Sequence, residues 1–239
     1  MSTQNQNNFQ NLRITALLSS PVAVFDDYSP SLDALLEWLW LDERGLASSA
    51  PRPADIIQVD LPVKKGYLGE EWYWCCSSPH YLLDREQTTK FRKRWDYQDK
   101  HCNWGKKKAK FSTSEGHTKS YDLPLYLRTI NQIDWFCVGD RAEFQQLLNN
   151  CPNIGKKRSY GYGKVQSWKV EEFPEDWHLF RNGYLARPIP AELLFKHCGT
   201  PKDDNISCMN WAWRPPYWLG ENKAICAMPS NNVRRNGTN

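Results

Sequence analysis

The order in which hydrophobic periodicity changes along this chain restricts its fold more than any single motif does. Leu12, Ile14, Ala16 and Leu18 alternate with Arg13 and Thr15, the period of a strand with one buried face. Leu32, Leu35, Leu36, Leu39 and Trp40 then recur at helical spacing, with Ser31 as the N-cap and Gly45 as the stop. Ile56–Leu61 reads as a short strand, and Glu71–Cys76 is β-prone. Leu123–Thr129 and Ile133–Val138 read as two more strands, the second apolar on both faces and therefore central. Asp140 opens a second helix with Glu143 three residues on, a capping box, and Phe144, Leu147 and Leu148 form its buried stripe before Pro152 ends it. A glycine-rich loop leads into a last strand over Lys164–Glu171. This strand–helix–strand–strand, then strand–helix–strand order predicts an α+β, ferredoxin-like layer, with four antiparallel strands and two helices on one face. RNA-recognition domains use this layout.

Two stretches stand outside that layer. Between Arg85 and Lys119 there are 11 Lys/Arg and 4 acids, a local charge of +7, so the rest of a chain of net charge +4 carries −3. Its polarity and interleaved aromatics (Phe91, Trp95, Tyr97, Trp104, Phe111) suit a projecting basic hairpin, a thumb-like insertion at about 85–120. A focused basic segment on a near-neutral body points to a polyanionic partner. Beyond Phe173 the pattern weakens into a Trp- and Pro-rich run with no clear period, read as an irregular C-terminal extension over 174–239. Residues 1–10 are rich in Asn and Gln and read as a disordered tail, leaving 11–173 as the ferredoxin-like domain.

The loop from Gly155 to Gly163 packs three chemistries into nine residues. Gly155, Gly161 and Gly163 permit positive φ and close backbone approach. Lys156, Lys157 and Arg158 can neutralise phosphates, and Ser159 adds a hydroxyl. Tyr160 and Tyr162 can stack on unpaired bases, at roughly 1–3 kcal/mol per base. It is not a Walker A loop, since no glycine lies five residues before Gly163 and Val165 replaces the Ser/Thr. Nor is it a dinucleotide fingerprint, because the third glycine is missing and a strand follows instead of a helix. In the insertion, Arg92, Lys93, Arg94, Lys106, Lys107, Lys108 and Lys110 are the further candidates for RNA backbone contact.

A glycine-rich basic loop between the second helix and last strand of a ferredoxin-like domain resembles the RAMP superfamily of CRISPR proteins. The opening, Leu12-Arg-Ile-Thr-Ala-Leu-Leu-Ser-Ser-Pro-Val-Ala followed by Leu32-Asp-Ala-Leu-Leu, resembles the start of the Cas-five-type subunit of type IV (Csf) CRISPR complexes. Pro124-Leu-Tyr-Leu-Arg128 and the Gly155–Gly163 loop fall where that family has comparable segments. The resemblance spans about residues 11–190. It implies a non-catalytic subunit that caps the 5′ handle of a guide crRNA within a ribonucleoprotein effector complex for antiviral defence. Its neighbours there would be a backbone RAMP subunit and a large subunit. The resemblance also places target duplex DNA beside the guide's 5′ end, with Lys106, Lys107 and Lys108 as candidates for contact.

The competing reading is a metal-independent crRNA-processing endoribonuclease, which needs a base, an acid and a phosphate-binding cation. The five histidines, His80, His101, His117, His178 and His197, have no partner at recognisable spacing, so no catalytic residue is expected. A third reading is a structural partner without nucleic-acid contact. The eight cysteines form no CxxC pair, and neither a metal site nor a cofactor is expected. A polar N-terminus without an apolar stretch predicts a cytoplasmic protein with reduced thiols and no membrane contact.

Overall fold

The computed structural model describes residues 8–24, 26–46, 59–94, 114, 119–203, 206–230 and 232–235. Lys106, Lys107, Lys108 and Lys110 lie outside the described residues, as do His101 and His117. In chain order the first half contains β1 (Phe9–Leu18), β2 (Val22–Ala23), α1 (Leu32–Glu43), β3 (Lys65–Leu68), β4 (Glu71–Trp74), β5 (His80–Leu83), β6 (Arg85–Lys93) and β7 (Tyr121–Thr129). The second half contains β8 (Gln132–Asp140), α2 (Arg141–Asn149), β9 (Val165–Glu172), β10 (Phe180–Arg181), β11 (Tyr184–Leu185) and β12 (Ile189–Pro190). After these come α3 (Ala191–His197), β13 (Cys208–Ala212), β14 (Lys223–Ala227) and β15 (Val233–Arg235). The protein is α+β.

The main sheet has the order β15-β5-β8-β1-β9. β1 pairs antiparallel with β8 and with β9, β5 pairs antiparallel with β8, and β15 adds parallel to β5. The alternation of β1 becomes its two faces. Leu12, Ile14, Ala16 and Leu18 join Ile133, Trp135 and Cys137 of β8 in one core with Leu32, Leu36 and Leu39 of α1 and Phe144, Leu147 and Leu148 of α2. Each such side chain, fully buried, contributes roughly 1.5–3 kcal/mol, so this layer is the main source of stability. Asp140 caps α2 as its sequence predicts, its Oδ1 accepting from the Ala142 and Glu143 amides at 2.9 and 3.1 Å. Ser31 precedes α1 without a side-chain cap bond, and Gly45 follows it at φ +68°.

The strand expected over Ile56–Leu61 does not form where the chain is described. Residues 59–61 are irregular, and pairing begins only with an isolated bridge between Val63 and Gly139. Pro62 explains this: it has no N–H to donate to a ladder, while its carbonyl accepts from the Asp140 amide at 3.0 Å. Leu61 and Val63 were apolar because they reach the core.

Of the basic insertion, the described part is mainly its first strand, β6, and residues 95–113 and 115–118 lie outside the described residues. β6 and β7 pair antiparallel over nine residue pairs, and β7 also pairs with β2, so the hairpin is the outer part of a second sheet ordered β2-β7-β6. Arg128, which is 6% exposed, anchors its root. Its guanidinium pairs with Asp27 at 2.7 Å and Glu86 at 2.8 Å, and donates to the Asp26 carbonyl and the Tyr81 hydroxyl.

The region beyond Phe173 is more ordered than its sequence suggests. It forms the three-stranded sheet β12-β14-β13 and a second core in which Ile189, Leu194, Trp213, Cys226 and Met228 pack with Tyr73, Cys75 and Val138. No described helix is long and apolar enough to cross a membrane.

Candidate nucleic-acid interface

The Gly155–Gly163 loop folds as a tight basic knuckle pinned to the end of the main sheet. Gly155, Lys157, Gly161 and Gly163 all have positive φ, and Arg158–Tyr160 form one 3₁₀ turn. At Gly163 the glycine is required: a Cβ would lie 1.9 Å from the Ile154 carbonyl oxygen. At Gly161 a Cβ would meet nothing within 4 Å, so only the φ of +85° calls for glycine there. Several loop amides are used inside the chain. Lys156 donates to the Ala23 carbonyl, Gly163 to Pro21, and Tyr160 and Gly161 close the 3₁₀ turn onto Lys157 and Arg158. The loop therefore offers ligands its side chains first, not a row of amides.

Those side chains point three ways. Lys157 Nζ sits 3.6 Å from the centre of the Phe91 ring on β6, and Tyr160, 64% exposed, meets the same ring edge-on at 5.0 Å. Phe91 in turn stacks on Tyr121 of β7 at 5.5 Å. Arg158 sits over Trp38 of α1, with its Cζ 3.8 Å from the ring centre. Tyr162 is half-buried against Ala23, Leu125 and Leu127, a wedge beneath the hairpin, while Ser159 is exposed. Loop and hairpin, distant in sequence, thus become one basic and aromatic surface. On the hairpin, Lys90 and Arg92 share Asp122 at 3.5 and 3.2 Å. Such exposed pairs are weak and exchange easily for a phosphate. Arg94 is exposed and Lys93 half-buried.

Beside the loop lies a cleft of about 630 Å³ that reaches Gly155, Lys156 and Arg158. Its aromatic walls come from Tyr28, Trp38, Trp211, Trp213 and Tyr217, and Lys223 adds a cation to the lining. Part-burial moves Lys156 below the usual lysine range, with Asp26 opposing the shift. The floor is set by Arg187, which is 3% exposed. Its Nη1 donates to the carbonyls of Trp74 and Cys76 (the latter at 3.1 Å), and its Nη2 donates to that of Trp213 at 2.6 Å. Asp33, 1% exposed, lies 3.9 Å from Nη2 and accepts from the Tyr217 hydroxyl at 2.6 Å. Arg187 therefore ties the C-terminal extension to the segment around β4, and Asp33 ties it to α1.

No histidine lines this cleft among the described residues. His178 is held between Asp176 and the Tyr73 hydroxyl, and His80 is buried beside Phe136. The seven described cysteines are free thiols, and burial pushes Cys76 and Cys137 up from the ordinary thiol range. Among the described residues no three His, Cys, Asp or Glu gather as metal ligands.

The sequence named the loop and the hairpin but missed the cleft between the loop and the C-terminal extension. Trp211, Trp213, Tyr217, Arg187 and Lys223 come from a stretch without period, and only its Trp density hinted at a surface role. Asp33 was hidden in the apolar stripe of α1.

Fold and site together define an α+β protein with a cleft that has aromatic walls and a basic edge. Residues 10–229 match the family described as CRISPR type IV associated protein Csf3, and the chain belongs to that family. It is a Csf subunit of a type IV CRISPR system. Comparison with curated proteins returns no match.

Proposed function

We propose that this chain is the non-catalytic guide-RNA-binding subunit of a type IV CRISPR ribonucleoprotein, and that the loop, hairpin and cleft hold the 5′ handle of the guide. The observation that carries this reading is the convergence of Lys157 and Tyr160 on Phe91 and of Arg158 on Trp38, which joins two basic segments at the mouth of an aromatic cleft. Cations neutralise the backbone, and exposed rings such as Tyr160 accept unstacked bases; single-strand binding needs these two elements. Sequence recognition of a target would stay with base pairing by the guide.

The strand order supports a ferredoxin-like, RAMP-type domain. Within β5-β8-β1-β9 the first and third strands of a βαββαβ unit are central, both helices share one core, and the glycine-rich loop joins the second helix to the last strand. Cytoplasmic assembly with a backbone subunit and a large subunit follows from the same reading, and target DNA contact would fall to the hairpin.

Ultraviolet crosslinking of the guide within the purified complex tests this. Crosslinks from handle nucleotides to peptides containing Tyr160, Phe91 or Trp38 are expected. Crosslinks confined to other subunits would refute it. A single discrete cut of repeat RNA by the purified chain in EDTA would favour the endoribonuclease instead.

A further inference from the structure

A second cavity, of about 330 Å³, opens at the same end of the main sheet as the glycine-rich loop. The β7–β8 turn and the end of the loop lie side by side there, since the Leu18 amide donates to the Asn131 carbonyl and the Ser19 amide to that of Lys164, both at 2.9 Å. Arg181, Arg234, His80 and Asp134 line this cavity. They come from β10, β15, β5 and β8, so four segments build it.

Its donors are arranged for an anion. The Arg181 guanidinium packs over Trp177 at 4.9 Å and Phe136 at 5.5 Å, and its Nη1 lies 3.1 Å from His80 Nδ1. A guanidinium only donates, so Nδ1 is the bare acceptor and Nε2 carries the ring proton. Burial, reinforced by the charges of Arg181 and Arg234, pulls His80 down to about 3, so the ring is neutral. Its Nε2 is buried with no hydrogen-bond partner among the described residues. Among the described residues neither Arg181 nor Arg234 has a carboxylate within salt-bridge distance, although the charges of Arg234 and Asp134 both bear on Arg181. His80 thus holds the Arg181 cation in place beside Arg234.

The same cavity also presents an acceptor. The Asp134 carboxylate is fixed by the Thr15 hydroxyl at 2.5 Å and by the Gln132 amide at 2.8 Å, and a carboxylate has lone pairs to spare. An acidic side chain would meet the cations and the repelling carboxylate together. A sugar-phosphate instead presents its anion to the arginines and a hydroxyl donor to Asp134. At about 330 Å³ the cavity has room for one such unit.

We propose that this cavity is a ribose-phosphate subsite, in which Arg181 and Arg234 hold one phosphodiester of a single RNA strand while Asp134 accepts from the ribose 2′-hydroxyl. The 2′-hydroxyl is the group by which a protein tells RNA from DNA, so the subsite adds RNA selectivity to backbone grip. The inference rests on the guide-RNA reading, and the strand would continue here from the glycine-rich loop.

Fluorescence anisotropy with the full chain tests it, using handle RNA, the same RNA with single 2′-deoxy substitutions, and the all-deoxy strand. Arg181→Gln and Arg234→Ala are compared with wild type; Arg234 is exposed, so its replacement leaves the fold intact. Each variant is expected to weaken RNA binding roughly tenfold, the size of one lost charge-assisted contact. One 2′-deoxy position should weaken wild type and have no effect on either variant. If both variants bind like wild type while alanines in the loop weaken binding, the subsite is refuted and the guide-RNA reading stands. Wild type that binds no RNA refutes that reading itself. Variants that lose only association with other complex subunits refute the subsite in favour of a protein carboxylate.

Discussion

Replacing Arg187 by Met keeps a long apolar stem and removes the guanidinium from the floor of the cleft. Three buried carbonyls, those of Trp74, Cys76 and Trp213, then lose their donor, and Asp33 loses the cation 3.9 Å away. At about 1 kcal/mol for each carbonyl, and about 1–2 kcal/mol for a buried carboxylate left without a countercharge, the loss is about 4–5 kcal/mol. Solvent does not reduce this figure, because Arg187 and Asp33 are 3% and 1% exposed. A typical total stability is about 5–15 kcal/mol, so the variant should approach marginal folding. Urea denaturation followed by tryptophan fluorescence measures it. Asp33→Asn in the Arg187→Met background should recover about 1–2 kcal/mol, since a neutral amide needs no countercharge. An Arg187→Met variant within 1 kcal/mol of wild type, or a double variant with no recovery, would show that this pair does not hold the extension to the body.

Other positions give sharper contrasts. Gly163→Ala forces a Cβ onto the Ile154 carbonyl and should cost well over about 2 kcal/mol, whereas Gly161→Ala meets open space and should cost only the left-handed φ, about 1 kcal/mol; equal melting shifts would contradict the loop geometry. Burial, helped by Asp33, pushes Glu37 up to about 7. Its folded form holds the proton more tightly than the unfolded chain, so this group's contribution falls as pH rises from about 4.5 to about 7 and is level above. Glu37→Gln removes that loss and should stabilise the protein at pH 8 but hardly at pH 4.5. The gain is about 1–2 kcal/mol once partial exposure is allowed for; a pH-independent difference in urea midpoint would sink the assignment. Phe91→Ala takes away the ring shared by Lys157 and Tyr160 and should weaken RNA binding several-fold with little change in melting temperature, because Phe91 belongs only to the small hairpin cluster.

What the sequence disclosed depended on whether a local period existed. β1, α1, α2 and β8 were legible because their apolar residues repeat at the spacing their burial requires, and Asp140 capped its helix as written. The expected strand over Ile56–Leu61 is irregular at its described end, residues 59–61, because apolar residues can reach a core from irregular chain and Pro62 denied the ladder a donor. The extension was illegible for a related reason. Trp211, Trp213 and Arg187 are placed by packing between distant segments, and no local pattern encodes that. The loop's glycines, cations and tyrosines are plain in its sequence. That Tyr162 packs inward while Tyr160 projects, and that the amides close onto Ala23 and Pro21, depends on its contact with β2.

The salt dependence of handle-RNA affinity, compared between wild type and the triple variant Lys156→Ala/Lys157→Ala/Arg158→Ala, tests most directly whether this surface grips RNA. A single strand releases about 0.7 counterion per neutralised phosphate. The triple variant should therefore bind more weakly, with a log–log salt slope shallower by about 2. Equal affinity and an equal slope in the two proteins would contradict an RNA-binding role for the glycine-rich loop.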